Sequence, residues 1–127
     1  MPKLLSTEQM AEFANSGCLF FEGLIDEDIN KEFLNDIGHT DIDDVDNIQH
    51  YFQNIKSSSS IPRIPAGTAL KDAYPLNSPL EKIFKNEIVS GAINSLVGSK
   101  TVVDHQFLHL TFPSKYYEKA NQRQMSQ

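Results

Sequence analysis

The spacing of helix-start and helix-stop signals is the feature that most limits what this chain can form. Such signals bound three stretches, 6–17, 26–38 and 78–98, and each carries apolar residues at helical spacing. In the first stretch Ser6 and Gln9 form a capping box, in which each side chain accepts a hydrogen bond from the other residue's backbone N–H. The pattern predicts short helices with other structure between them, and therefore an α+β domain.

The third helical stretch has the most complete set of signals. Ser78 is the predicted N-cap, Pro79 occupies the first helical position, and Glu81 completes a capping box. We expect a break or bend near Asn86, and we expect Gly98 to end the helix.

Two apolar runs are predicted to be strands. The first, "CLFFEGLI", covers 18–25, and the second, "TVVDHQFLHLTF", covers 101–112. Between the helices, 39–76 is acidic, then serine-rich, then proline-containing, which predicts a long, partly ordered excursion with one helical turn at 48–52. We therefore expect one partial domain, 1–127: a helix–strand–helix opening over 1–38, this excursion, and a helix and strand over 77–127.

Charge and cysteine content exclude several classes of function. The formal net charge is −6 and no Lys/Arg cluster offsets it, so nucleic-acid binding and anionic membrane surfaces are disfavoured. The single cysteine, Cys18, excludes an internal disulfide, and its apolar neighbours predict a buried, inert thiol. The sequence shows neither a signal peptide nor an apolar run of 18 residues, which predicts a cytoplasmic protein that does not enter a membrane.

Several side chains could bind a ligand, but each has a plainer interpretation. His105 and His109 lie four residues apart, and in a strand this spacing separates them by roughly 13 Å, so both rings reach one zinc ion only at full stretch. We expect both rings to hydrogen-bond in a partly polar interior. The alternative is a zinc-dependent protein that uses both histidines.

The acidic run 41–46 lacks the Gly and Glu that a calcium loop needs, which indicates a solvated loop. Arg63 and Lys71 are isolated cations, and Ser57–Ser60 reads as a flexible linker.

The order of segments resembles the opening of the phytanoyl-CoA dioxygenase family. The residues that carry this resemblance are a Leu-x-x-Glu-Gln helix, a glycine before an apolar strand, a Gly-Leu-Ile turn and a second amphipathic helix. They are Leu5, Glu8, Gln9, Phe13, Gly17, Leu19, Gly23, Leu24, Ile25, Ile29 and Phe33. A second patch, "INSLVGSKTVVDHQFLHLTFPS", resembles the family's Leu-x-Gly helix end and the following histidine-bearing strand.

The resemblance implies an Fe(II)- and 2-oxoglutarate-dependent dioxygenase that hydroxylates a small organic substrate. The implied fold is a double-stranded β-helix, a relative of the jelly roll, with the N-terminal helices packed on its first strands. Such sites hold iron with two His and one carboxylate, of which a His-x-Asp pair supplies two. Residues two apart in a strand lie about 6.6 Å apart on one face, so both can converge on one ion.

The sequence departs from the family at these iron ligands. Its only His-x-Asp is His39-Thr-Asp41, which lies in the acidic segment far before the family's ligand strand. In the family, the ligand pair follows the strand that resembles 101–112. We therefore expect no catalytic and no metal residue in this chain, and a His-x-Asp encoded soon after Gln127. The chain is predicted to be the N-terminal part of such an oxygenase, inactive alone, or alternatively a non-enzymatic binding or assembly module of related fold.

Two expectations concern the predicted strand 101–112. One of its faces carries the side chains expected to line the cofactor cavity, and these are His105, Phe107, His109 and Thr111. An incomplete jelly roll also leaves an open sheet edge, so we expect the isolated chain to self-associate.

Overall fold

The computed structural model describes residues 1–37, 53, 55–106 and 114. Over these ranges the chain is mixed α and β, which confirms the predicted class at that level. The elements in chain order are α1 (Thr7–Ser16), α2 (Glu27–Asp36), β1 (Thr68–Ala69), a 3-10 turn (Leu70–Asp72), α3 (Pro79–Lys85), α4 (Glu87–Val97) and β2 (Val102–Val103). Within the described ranges, none of the helices combines the length and the apolar character that crossing a bilayer requires.

The predicted signals of α1 are confirmed. The Ser6 hydroxyl accepts from the Gln9 backbone N–H at 3.1 Å, and the Gln9 side-chain oxygen accepts from the Ser6 N–H at 2.9 Å. Gly17 ends the helix in a left-handed conformation, with φ 76°, and its N–H bonds to the Phe13 carbonyl. Both ends of α1 are therefore determined by local sequence.

Before α1, the N-terminal residues lie along α4. The Lys3 N–H donates to the Glu87 carbonyl at 2.8 Å, and the Leu5 N–H donates to the Ser95 hydroxyl at 2.9 Å. Gly91 is buried on α4 between these two contacts. Because Gly91 has no Cβ, the backbone of Lys3 can approach the helix directly.

Helix α2 packs on α3, and an ion pair joins their surfaces. Asp26 caps α2 by accepting from the Asp28 N–H, and Ile37 follows the last turn with only 2% of its surface exposed. The Lys82 ammonium on α3 lies 2.9 Å from the Glu32 carboxylate on α2. The predicted helical stretch 26–38 is confirmed as far as the described residues reach.

The third helical stretch divides at Asn86, as predicted. The Asn86 side chain accepts from the N–H groups of Ile88 and Val89 at 2.9 and 3.2 Å, so it caps α4 immediately after α3 ends. At the start of α3, Ser78 accepts from the Glu81 N–H at 3.4 Å. The Glu81 carboxylate accepts from the Asn77 N–H rather than that of Ser78, because the Ser78 N–H bonds to the Pro75 carbonyl. The predicted box is therefore only half formed.

The strands β1 and β2 form a two-stranded antiparallel sheet. Thr68 is opposite Val103 and Ala69 is opposite Val102. The ladder continues at both ends, because the Gly67 N–H donates to the Val103 carbonyl at 2.8 Å and the Leu70 N–H donates to Thr101 at 3.0 Å. The predicted strand 101–112 is confirmed at its start; Asp104–Gln106 leave the ladder, and 107–112 lie outside the described residues.

The prediction of a strand at 18–25 is wrong. This segment is irregular with a turn at Gly23, and Phe20 is 88% exposed. A strand requires a neighbouring backbone to complete its hydrogen bonds, and no described segment pairs with this one. The prediction that Cys18 is buried is wrong for the same reason, because its thiol lies on the exposed irregular segment.

Ser60, the last residue of the serine run, is held in place, in contrast to the flexible linker that the sequence predicts. Ser60 is 1% exposed, and its hydroxyl donates to the Asp36 carboxylate at 2.6 Å. This bond attaches the segment before β1 to the end of α2. The predicted helical turn at 48–52 and the acidic run at 41–46 lie outside the described residues.

Candidate ligand pocket

A pocket of about 630 Å³ lies where the N-terminal residues, the 3-10 turn, α3, α4 and the loop into β2 meet. Its volume is within the range of roughly 300–1,000 Å³ that small-molecule sites occupy. Side chains from segments 69–74, 81–94 and 99–102 line it together with Met1 and Pro2. The site therefore depends on the packing of the N-terminal residues on α4 and on the pairing of β1 with β2.

An aromatic pair forms one apolar part of the wall. The rings of Tyr74 and Phe84 are stacked, with centroids 5.4 Å apart and planes 15° from parallel. The Tyr74 hydroxyl bonds to the side-chain carbonyl of Gln106. Burial raises the pKa of the Tyr74 hydroxyl, so Tyr74 is a neutral side chain at physiological pH. Leu70 and Ile93 extend this apolar surface.

Charged groups of both signs lie around this apolar wall. The pocket is lined by Lys71, Lys85 and Lys100, and by the carboxylates Glu81 and Glu87. Each carboxylate has its own cation: the Lys85 ammonium lies 3.3 Å from Glu81, and the Lys3 ammonium lies 2.9 Å from Glu87.

Both carboxylates take part in contacts within the fold. The Glu81 side chain is 11% exposed and also accepts the Asn77 N–H at 3.0 Å. Glu87 belongs to the contact between α4 and the N-terminal residues. The hydrogen bond and the positive charge of Lys3 lower the pKa of Glu87, so its carboxylate is ionised at neutral pH.

Two of the three lysines that line the pocket differ from the carboxylates in their ion pairing. Among the residues that the structure describes, Lys71 and Lys100 take part in no ion pair. Both lie on exposed backbone next to the sheet, Lys71 after β1 and Lys100 before β2. The pocket thus combines an aromatic wall with two cations that have no partner inside the described ranges.

The residues predicted to line a cofactor cavity are only partly within the described ranges. His105 is exposed, and its Nδ1 lies 2.8 Å from the Asp104 carboxylate; it does not line the pocket. Phe107, His109 and Thr111 lie outside the described residues, as does the His39–Asp41 pair. In the described part of the chain, no group of three or more His, Cys, Asp or Glu side chains is placed to hold a metal ion.

The sequence does not predict this pocket. In the sequence Lys71 is an isolated cation, and no pattern gives Tyr74, Phe84 or Lys100 a role. The segments "ALKDAY", "EKIFK" and "SKTV" are separated along the chain, and none is a motif. A weak signal was available, because Tyr74 and Phe84 are the only aromatic residues between Phe52 and Phe107.

Comparison with other proteins adds no further constraint. The sequence matches no protein-family model, and searches of curated proteins and of solved structures find no match.

Proposed function

We propose that this chain forms the opening part of a phytanoyl-CoA-dioxygenase-like domain. The reaction of the whole domain would be Fe(II)-dependent hydroxylation of a small organic substrate coupled to decarboxylation of 2-oxoglutarate. In this proposal β1 and β2 are first strands of a double-stranded β-helix, and α1 to α4 pack around them.

The order of elements supports this proposal. A capped helix, a Gly-Leu-Ile turn and a second amphipathic helix follow one another at the start of the chain. Later, α4 ends at Gly98 and the chain enters β2 within a few residues. This sequence of helix end, glycine and strand is the second feature on which the resemblance depends.

The described residues do not supply an iron site of the expected kind. Asp104 and His105 are neighbours in the chain and bond to one another, whereas a His-x-Asp pair shares one face of a strand. No step of the reaction is therefore assigned to residues described here, and the proposal gives this part of the chain a scaffolding role.

Metal analysis tests the proposal. The 127-residue chain and the product of the source gene read through its downstream codons are each purified in the presence of Fe(II) and analysed for bound metal. We expect iron only in the longer protein, together with succinate formation from 2-oxoglutarate. Succinate from the 127-residue chain above a metal-free blank would contradict the proposal, as would a longer protein without iron.

A second candidate function is a non-enzymatic module that binds a small molecule. The pocket between the 3-10 turn, α3 and α4 supports it, since this pocket is built from described residues alone. The same metal analysis separates the two functions: a binding module takes up no iron at either length.

A further inference from the structure

We propose that the pocket binds a small organic acid, with the apolar body against Tyr74 and Phe84 and the acidic group between Lys71 and Lys100. This inference rests on the second candidate function and does not require an iron site. The chemical class of the ligand follows from the two kinds of surface in the pocket, one apolar and one positively charged.

The aromatic wall of the pocket favours a ligand with an apolar body. Tyr74 and Phe84 are stacked on one another and both line the pocket, as do Leu70 and Ile93. Aromatic and aliphatic walls with a few polar groups are characteristic of small-molecule sites. A ligand without an apolar body would leave this surface hydrated.

The charged groups of the pocket differ in whether they have an ion-pair partner among the described residues. Glu81 and Glu87 are each neutralised by a lysine of the fold, so they do not repel an incoming anion strongly. Lys71 and Lys100 have no ion-pair partner in the described ranges. In a chain with net charge −6, two such cations at one pocket select against a cationic ligand.

The acidic group of the ligand is expected to carry a single negative charge. The first backbone N–H groups of α4 already bond to the Asn86 side chain, so this helix start offers little to a phosphate chain. Lys71 follows Leu70 and Lys100 precedes Thr101, and Leu70 and Thr101 are hydrogen-bonded to one another, so two lysines that line one pocket suit a single carboxylate or sulfonate. We therefore infer a monoanionic amphipathic acid rather than a polyphosphate.

A pair of dyes that differ in charge tests this inference. Anilinonaphthalene sulfonate (ANS) carries an aromatic body and one acidic group, and N-phenylnaphthylamine has a similar body without the acid. Both are titrated by fluorescence into the full chain and into two double variants. One variant is Lys71→Ala with Lys100→Ala, and its matched control is Lys56→Ala with Arg63→Ala, which removes two exposed cations that do not line the pocket.

We expect the Lys71/Lys100 variant to bind ANS roughly three- to tenfold more weakly than the unmodified chain, the range that two partly exposed ion pairs provide. The control variant should keep the affinity of the unmodified chain, and the neutral dye should bind all three proteins equally. Decanoate should displace ANS and decanol should not.

Three results would overturn the inference: no saturable ANS binding, equal loss of affinity in both double variants, or displacement by decanol as effective as by decanoate. All four substituted residues are exposed, so each variant should retain the far-ultraviolet circular dichroism of the unmodified chain. Because no step involves iron, the two failures are distinguishable: the dye titrations overturn this inference, whereas the metal analysis overturns the oxygenase proposal.

Discussion

At the scale of single residues, Gly91 is a position where the fold leaves no room for a Cβ. A Cβ built on Gly91 would lie 1.7 Å from the Lys3 carbonyl oxygen and 2.2 Å from its carbon. These are backbone atoms, so no side-chain rotation relieves the overlap. An alanine there gains roughly 1 kcal/mol of helix propensity, but it must displace the N-terminal residues from α4.

We therefore predict that Gly91→Ala lowers the free energy of unfolding by about 1–3 kcal/mol, the usual cost of overpacking. Urea unfolding followed by circular dichroism measures this change. The same substitution in a chain lacking residues 1–4 removes the clash and should be neutral or stabilising. If Gly91→Ala destabilises both chains equally, the close approach of Lys3 is not the cause.

Glu87 gives a prediction about pH at the same scale. Its pKa is lowered from the ordinary value of 4.5 by the hydrogen bond and the charge of Lys3. A carboxyl group whose pKa is depressed in the folded state stabilises that state above its unfolded pKa. This contribution is lost as the pH falls from 4.5 through the folded pKa.

Nuclear magnetic resonance titration of the Glu87 carboxyl carbon should thus give a pKa below 4.5 in the unmodified chain. In Lys3→Gln the pKa should return toward the ordinary value, because the charge is gone. A Glu87 pKa that is the same with and without Lys3 would contradict the assignment.

At the scale of elements, Ser60 connects the segment before β1 to the end of α2. Its hydroxyl donates to a carboxylate oxygen of Asp36 from a position that is 1% exposed. Hydrogen bonds to charged groups contribute more than neutral ones, and leaving such a group without its donor is costly.

We predict that Ser60→Ala lowers the free energy of unfolding by about 1–3 kcal/mol. Ser59→Ala is the matched control, since the neighbouring serine is exposed, and it should change stability by less than about 0.5 kcal/mol. Denaturant unfolding of the three proteins measures both effects. Equal stability of the two variants would show that the bond to Asp36 does not hold this segment.

Helix boundaries were predictable from sequence because their causes are local. Ser6 with Gln9, Asn86 and Gly98 act on backbone groups within one turn, so the pattern places them correctly. The segment 18–25 was misassigned because β-propensity describes packing on a sheet, and pairing is not visible in a single stretch. Likewise, the half-formed box at Ser78 depends on Pro75, which lies outside the motif.

At the scale of the whole molecule, large apolar side chains remain on the surface. Among the residues that the structure describes, the most exposed beyond the N-terminal methionine are Phe20 at 88%, Leu76 at 74% and Val97 at 69%. Ile37 and Ala73 are the buried hydrophobic residues in the described ranges. A chain with this distribution lowers its free energy by covering apolar surface with other molecules.

We therefore predict that the isolated chain self-associates. Its sedimentation coefficient should rise with protein concentration, and Phe20→Ser should weaken this dependence. Asn15→Ser, a change at an exposed polar position, should leave it unaltered. A concentration-independent coefficient for the unmodified chain would contradict the prediction.

The pocket is a property of the whole molecule, which explains why sequence patterns did not predict it. The rings of Tyr74 and Phe84 meet because Tyr74 follows the 3-10 turn after β1, and a turn at residues 76 and 77 leads into α3, which carries Phe84. Lys100 reaches the same pocket through the pairing of β2 with β1. Each contribution depends on tertiary contacts between segments that carry no common motif.

The amide proton–nitrogen correlation spectrum of the full chain, recorded with increasing ANS, tests the central claim most directly. If the pocket is the ligand site, the largest shift changes should fall on Tyr74, Phe84 and Ile93 and their neighbours in α3 and α4. Shift changes concentrated instead around Phe20 or His105, with α3 and α4 unaffected, would contradict the assignment of the functional site to this pocket.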